Sequence, residues 1–302
     1  MRVFVTGANG WVGSALVPEL IAAGHQVAGL VRSETKAGAL RAAGGEPVLG
    51  SLDDLATLRR AADAADGVVH LAFGLDFSKL DEMAWQEQQV ITAFGEVYAG
   101  SQRSVIMTSG FGLLPAGETF TEDTLSALNV PGFARDPEQA GRAIAERGVH
   151  AAWVRLPRSV HGVGETHGFI PMLANLAREK GISAYVGDGE NLWPSVHRLD
   201  AARVFRLALE RGGHGGPWHA VADEGVPFRQ IAGAIGELLG VPTRSVAPEE
   251  AARHFGPLAM WAAGNGPASS ARTRELLAWT PEQPSLLQDI SRPEYYSALQ
   301  IR

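Results

Sequence analysis

Three glycines at fixed spacing, Gly7, Gly10 and Gly13, separate the apolar run 1–6 from a helical pattern over 14–21. Val3-Phe4-Val5 is short, apolar and β-branched or aromatic, as a strand buried in a sheet is. A strand, a glycine-rich turn and a helix in that order make a cradle for a pyrophosphate. Gly7 permits the tight turn, Gly10 lets the backbone approach the phosphates, and Gly13 lets the helix pack close to the strand. The helix start adds free N–H groups and the positive end of its dipole. Thr6, Asn9, Trp11 and Val12 complete the cradle. The competing reading is a glycine-rich turn without a ligand; the flanking strand and helix favour the cradle.

The end of the second strand (26–31) sets the choice of dinucleotide. An NAD site presents Asp or Glu there to accept from the ribose hydroxyls. Here the sequence is Ala28-Gly29-Leu30-Val31-Arg32-Ser33. The acid is absent, an arginine fork matches a phosphate, and Ser33 adds a hydroxyl, so NADPH is the expected cofactor. The alternative is a solvated arginine at a strand end. Glu34 falls on the following helix start and is expected to face solvent or the dipole.

The Thr-Gly-x-x-Gly-x-x-Gly pattern resembles the short-chain dehydrogenase/reductase superfamily, in its extended and atypical branches. The resemblance runs along most of the chain. Val68-Val69-His70-Leu71-Ala72 is similar to the family's fourth strand, Val105 to Gly110 to its fifth, and Val154-Arg155-Leu156-Pro157 to its sixth. Val196 to Ala202 resembles the family's His-Val-Asp-Asp segment, and 276–290 its C-terminal signature. By this resemblance, Leu71, Ala72, Phe73, Thr108 and Ser109 lie beside the cofactor, and Pro157, Ser159 and Val160 beside the nicotinamide. Gly50-Ser51-Leu52 stands where the family often has Gly-Asp-Leu around the adenine, which keeps Ser51 and Leu52 as candidate contacts.

The family's catalytic Tyr-x-x-x-Lys is missing. Tyr98 and Tyr185 are followed four residues later by Gln102 and Gly189, and Tyr295 and Tyr296 by Leu299 and Gln300. By position the motif falls at Phe133-Ala134-Arg135-Asp136-Pro137, where phenylalanine cannot donate a proton and proline cannot hold a ribose. Ser109, at the end of the fifth strand, is the remaining catalytic candidate; its alternative is a hydroxyl satisfied by backbone. Three explanations stay open: cofactor binding without chemistry, a proton from another side chain, or a proton from the substrate. A phenol beside a ketone already hydrogen-bonds the carbonyl oxygen, so the site need only orient and desolvate the reactants. The pattern resembles the atypical ketoreductases of polyketide antibiotic pathways, of the simocyclinone (angucyclinone) type.

Other candidates are weaker. His161 and His167 flank the glycine-rich loop after the sixth strand and could act as acids. In the 196–202 segment, Asp200 is expected to cap the following helix. His70 is expected to be structural. Trp193, Trp218, Trp261, Phe169 and Met172 could line a flat aromatic pocket or simply form core. No metal is expected, because the histidines lack metal-ligand spacing and cysteine is absent.

The elements that must position these residues alternate. Strands are expected at 26–31, 46–49, 103–108 and 150–156, with helices at 35–43, 52–62 (capped by Ser51), 80–98 and 136–147. Later helices are expected at 171–180, 200–210 and 227–239, with a strand at 217–221. This is an α/β chain: a Rossmann-type doubly wound parallel sheet with a smaller C-terminal substrate-binding region. The NADP-binding domain is expected over 1–160, rejoined by about 196–222, with the substrate region interleaved at about 161–195 and 223–302. At 302 residues the chain suits one large or two intimate domains.

A net charge of −7 argues against a nucleic-acid partner. No apolar run reaches the roughly 20 residues of a membrane span. The N-terminal strand is unlike a signal peptide, and the absence of cysteine fits a cytoplasmic protein. Three lysines against 23 arginines suggest a GC-rich genome. No repeat, heptad array or low-complexity tail assigns an oligomeric state. The expected activity is NADPH-dependent reduction of a carbonyl on a bulky, aromatic polyketide-type small molecule. The rivals are a nucleotide-sugar epimerase or dehydratase and a non-catalytic NADP(H) sensor.

Overall fold

The structure is a computed structural model that describes residues 1–74, 79–125 and 134–299. Its first half alternates strand and helix: β1 (Arg2–Thr6), α1 (Gly13–Ala22), β2 (Gln26–Val31), α2 (Glu34–Ala42), β3 (Glu46–Leu49), α3 (Leu55–Asp63), β4 (Gly67–His70), α4 (Leu80–Tyr98), β5 (Ser104–Gly110), α5 (Pro137–Ala145) and β6 (His150–Leu156). Then come β7 (Ser159–His161), α6 (Phe169–Lys180), β8 (Ser183–Val186), β9 (Leu192–His197), α7 (Arg198–Glu210), β10 (Trp218–His219), β11 (Asp223–Pro227), α8 (Phe228–Leu239) and β12 (Thr243–Val246). Four short helices end the chain: α9 (Ala251–Phe255), α10 (Ala259–Ala263), α11 (Ala271–Leu277) and α12 (Leu286–Ile290).

Seven strands form one parallel sheet in the order β10-β6-β5-β4-β1-β2-β3. The chain builds outward from β1 to β3, then returns to the other side of β1 with β4. The order reverses between β1 and β4, and a crevice opens there beyond the carboxyl ends of the strands. Thr6 and His70, the last residues of those two strands, lie side by side in that register. This is the doubly wound sheet that the alternation implied.

Val3, Phe4 and Val5 are fully buried, because helices cover both faces of the sheet. On one face α1 and α7 pack with Leu16, Leu20, Val204 and Phe205; on the other, α3 and α4 pack with Leu58, Ile91 and Phe94. The second region has its own core around Trp193, Phe228, Ile231, Leu286 and Tyr295. It carries the small sheets β11-β9-β7 and β12-β8. Leu277 and Trp279 pack in the core under α7, so the chain leaves the main region and returns to it twice, at 196–222 and at 277–279. No helix among the described residues is long and apolar enough to cross a membrane.

Local capping explains several boundaries. α3 begins at Leu55 because Asp54 accepts from the Thr57 N–H at 3.0 Å; Ser51 does not cap it, accepting instead from the Asp53 N–H. α5 starts with Pro137 at its first turn and Asp136 accepting from the Gln139 N–H. α6 opens two residues before Pro171, at Phe169, and closes at Gly181.

Candidate active site

β1 ends at Thr6, and Gly7 turns the chain with a φ of 72°, a left-handed conformation open to glycine. A Cβ on Gly7 would lie 2.9 Å from the Ala72 nitrogen, and one on Gly13 only 2.0 Å from the Gly7 carbonyl oxygen. The loop is pressed against the end of β4, and α1 against the loop. A Cβ on Gly10 would meet only the Gly7 carbonyl, at 3.0 Å, so its other side is open. The Gly10 N–H donates to Gly7 and the Ser14 N–H to Gly10, at 2.8 and 2.9 Å. No described residue accepts from the N–H groups of Trp11, Val12 or Gly13. Asn9 donates its amide to the Lys36 carbonyl at 3.2 Å, while its buried Oδ1 has no partner among the described residues. The Trp11 indole N–H donates to the Val160 carbonyl at 2.6 Å, tying the loop to β7. Ser159 beside it is buried, its hydroxyl also without a described partner. A glycine cradle with three free N–H groups and two orphaned polar atoms fits a bound dinucleotide.

Arg32 stands exposed just past β2. Ser33 caps α2, accepting from the Lys36 N–H at 3.4 Å, and Glu34 turns to Arg41 at 3.5 Å. Among the described residues the strand end therefore presents no carboxylate, and Arg32 and Lys36 form no ion pair there; the latter was not expected from the sequence. Leu52 packs beneath α3 with the core there.

At the carboxyl edge of the sheet, Thr6 Oγ1 lies 2.6 Å from His70 Nδ1 and accepts from the Ala72 N–H at 3.3 Å. Burial, with the nearby Arg135 charge, pushes the His70 pKa down to about 3, so the ring is neutral at physiological pH. Leu71 donates its N–H to the Thr6 carbonyl. Beside these residues is an ion pair that the motifs did not reveal. Arg135 donates from Nε and Nη2 to Glu87 at 2.9 and 2.7 Å, and from Nη2 to the Thr108 carbonyl at 2.9 Å. Its guanidinium lies 4.1 Å from the centre of the Phe73 ring. Burial raises the Glu87 pKa and the arginine opposes that rise. Arg135 thus occupies the region where the family's Tyr-x-x-x-Lys falls; Phe133, the other residue of interest there, lies outside the described residues.

Thr108 and Ser109 face opposite sides, as strand alternation requires. Thr108 donates its hydroxyl to the His70 carbonyl. Ser109, the catalytic candidate, is buried and donates to Glu138 at 2.8 Å. Glu138 in turn is gripped by Arg155 through two bonds, at 2.7 and 2.8 Å. This buried knot also reaches His219, at 3.1 Å from Arg155. Ser109 is therefore engaged by a carboxylate rather than free to polarise a substrate oxygen. Pro157 is buried at the end of β6.

The histidine candidates separate. His161 is fully buried and pairs with Asp289 at 2.8 Å; His197 lies 3.7 Å from the same carboxylate. His167 contacts only Thr166 on the surface. Asp200 does not cap α7. The His197 ring does, and Asp200 accepts from the backbone of Glu282 and Gln283, anchoring the C-terminal segment. Trp193, Trp261 and Phe169 cluster in the second core, whereas Trp218 packs under the main sheet. The tyrosines are elsewhere: Tyr98 bonds the Ala62 carbonyl under α3, Tyr185 lies on β8, and Tyr295 and Tyr296 belong to the second core, with Tyr295 bonded to Glu165.

Known proteins are similar to this chain in sequence and in fold. A protein from Schizosaccharomyces pombe described as uncharacterised is 46% identical over 98% of this chain and 100% of its own length. A 4-hydroxy-2-methyl-3-oxo-4-farnesyl-3,4-dihydroquinoline-1-oxide ketoreductase from Stigmatella aurantiaca is 28% identical over 80% of this chain and 74% of its own. A 2-alkyl-3-oxoalkanoate reductase from Stenotrophomonas maltophilia is 27% identical over 80% of this chain and 77% of its own. Among solved structures, a dTDP-glucose 4,6-dehydratase from Streptomyces venezuelae with NAD bound superposes with a TM-score of 0.76 at 20% identity, over 98% of this chain and 97% of that one; the likeness is one of fold. The model of the NAD(P)H-binding family matches residues 7–168, the stretch from the cradle through the sixth strand to the start of α6. The chain belongs to the NAD(P)H-binding family.

Proposed function

We propose that the chain is an NADPH-dependent reductase of a ketone on a bulky small molecule, and that it works without a catalytic tyrosine. The observation that carries this reading is the Arg135 guanidinium, held between Phe73 and the Thr108 carbonyl at the crevice edge of the sheet. Hydride addition to a carbonyl leaves an alkoxide, so the site must compensate negative charge on oxygen and provide for a proton. Arg135 answers the first need. Two of its nitrogens are committed to Glu87 and Thr108, while Nη1 forms no hydrogen bond with a described residue. That N–H pair can hold a ribose hydroxyl or the substrate oxygen. A guanidinium does not release a proton near neutral pH, so the second need falls to the substrate or to water.

The chemistry supplied by a bound NADPH is hydride donation. Residues 6–13 would hold its pyrophosphate, Arg32 and Lys36 its 2′-phosphate, and Ser159 and Val160 its nicotinamide end. A phenol hydroxyl beside the ketone can pass its proton to the alkoxide directly, which suits an aromatic polyketide-type substrate. Relatives named as reductases of oxo compounds support the reaction class.

The test uses a fused-ring ketone with a phenol hydroxyl beside its carbonyl, and the methyl ether of that phenol, each with NADPH and with NADH. Reduction of the phenol-bearing ketone with NADPH, and slow reduction of the methyl-ether ketone that still binds, is the expected result. Binding of NADPH with no turnover of any ketone would favour the sensor; conversion of nucleotide sugars without net NADPH loss would favour the epimerase.

A further inference from the structure

One buried arginine has no counter-ion among the described residues. Arg135 is matched by Glu87 and Arg155 by Glu138, each at 2.7 Å. Arg158, only 8% exposed, forms no ion pair with a described residue. Nη1 donates to the Gly264 carbonyl and Nη2 to the Gly112 carbonyl, both at 3.0 Å. Its Nε is buried with no hydrogen-bond partner among the described residues. The Trp193 and Trp261 rings lie 5.5 and 5.7 Å from the guanidinium carbon. Neutral carbonyls and two indole faces compensate a buried cation only in part, and a full charge out of water calls for an anion. Burial alone pushes the Arg158 pKa down to about 9, the mark of a cation short of negative partners.

The location matters as much as the charge. Arg158 directly follows Pro157 at the end of β6, and Gly112 lies two residues past the end of β5. Both positions lie at the carboxyl edge of the sheet, beyond β4 from β1, the edge where Thr108 also receives Arg135. Gly264, Trp193 and Trp261 belong to the second region, so the arginine sits where the two regions meet. At Gly266 a Cβ would come within 2.5 Å of Nη2, so bare backbone leaves the fork its place.

We propose that Arg158 receives a carboxylate of the substrate, so that the ketone reduced here is an oxo acid. The proposal rests on the reductase reading for the word ketone, but not for the anion site. An arginine fork takes a carboxylate through two parallel N–H bonds and fixes the angle at which the rest of the molecule enters. With Arg135 at the reacting oxygen and Arg158 at the acid, the crevice holds the substrate at two points.

The test measures binding rather than turnover. Protein loaded with NADP⁺ is titrated with 3-oxo-octanoate and with its methyl ester. The native protein should prefer the acid by about tenfold or more, as expected for one charge-assisted contact. Arg158→Gln should bring the two ligands to within about twofold, and Arg158→Lys should fall between. Equal affinity of acid and ester in the native protein overturns the proposal. So does an undiminished preference for the acid in Arg158→Gln that still binds NADP⁺. If that variant does not fold, the native comparison and Arg158→Lys decide alone. Preference for the acid, with no reduction by NADPH of any ketone including the phenol-bearing one, would keep the anion site and refute the reductase.

Discussion

Removing the Arg135 charge separates a functional cation from a structural one. Arg135 and Glu87 are 9% and 4% exposed in their side chains and share two hydrogen bonds. Breaking such a buried pair costs about 3–5 kcal/mol, because it leaves a charge without its partner. Burial has already raised the Glu87 pKa, so in Arg135→Met the carboxyl takes up a proton and the loss falls at the lower end, about 3 kcal/mol. For a chain of 302 residues that lowers Tm by about 5 °C. Arg135→Met combined with Glu87→Leu removes both charges and should recover stability to within about 1 kcal/mol of the native protein. Cofactor affinity should not recover. One lost charge-assisted hydrogen bond of roughly 1.5–3 kcal/mol weakens NADPH or the transition state about 10- to 150-fold in both variants. Urea unfolding reports the first quantity, and energy transfer from tryptophan to bound NADPH the second. A double variant as stable as the native protein, with native NADPH affinity and native turnover, would show that Arg135 only holds α4 to β5.

Three further perturbations address other parts of the site. Arg32→Asp should reverse the preference for NADPH over NADH by about tenfold or more, read by titration with both cofactors; unchanged selectivity would move the phosphate contact to Lys36. Gly13→Ala puts a Cβ 2.0 Å from the Gly7 carbonyl, so α1 must retreat from the cradle and NADPH affinity should fall by more than about tenfold; native affinity would mean that the pyrophosphate is held elsewhere. Burial raises the Glu165 pKa from 4.5 to about 8, so the folded chain keeps a proton that the unfolded chain gives up. Its contribution is present below the unfolded value and is lost as pH rises toward the folded one; Glu165→Gln should flatten urea stability between about pH 5 and about pH 8, and an unaltered slope would place the titration in another group.

The order of strands and the cradle were legible because each needs only local signals. A short apolar run, glycines at fixed spacing and a capped helix determine β1, the loop and α1, and the alternation that follows implies the parallel sheet. The start of α3 was misplaced because Ser51 and Asp54 are both competent caps, and the Asp54 contacts with Thr57 decide between them. The small strands of the second region were missed because they pair with distant partners, as β7 does with β9 and β8 with β12. Ser109 looked available because the sequence does not show that Glu138 and Arg155 meet it inside the fold.

The arginine at the site left one trace. Glu87 stands on the stripe of α4 that also carries Val90, Ile91, Phe94 and Tyr98, all buried. A carboxylate on an apolar stripe calls for a buried cation. Residue spacing does not name that cation, because Arg135 comes from a segment 48 residues away. Arg158 left no trace, since a missing counter-ion is visible only once its neighbours are known.

Hydride transfer from NADPH to a ketone can be followed by isotope. Protein is incubated with NADPH deuterated at its transferable position and with the fused-ring ketone bearing the adjacent phenol, and the product is analysed by mass spectrometry and NMR. An alcohol carrying one deuterium on the carbinol carbon is expected, formed with Arg135 intact and about 10- to 150-fold more slowly with Arg135→Met in the Glu87→Leu background. NADPH that binds tightly while the ketone is recovered without deuterium would contradict hydride transfer.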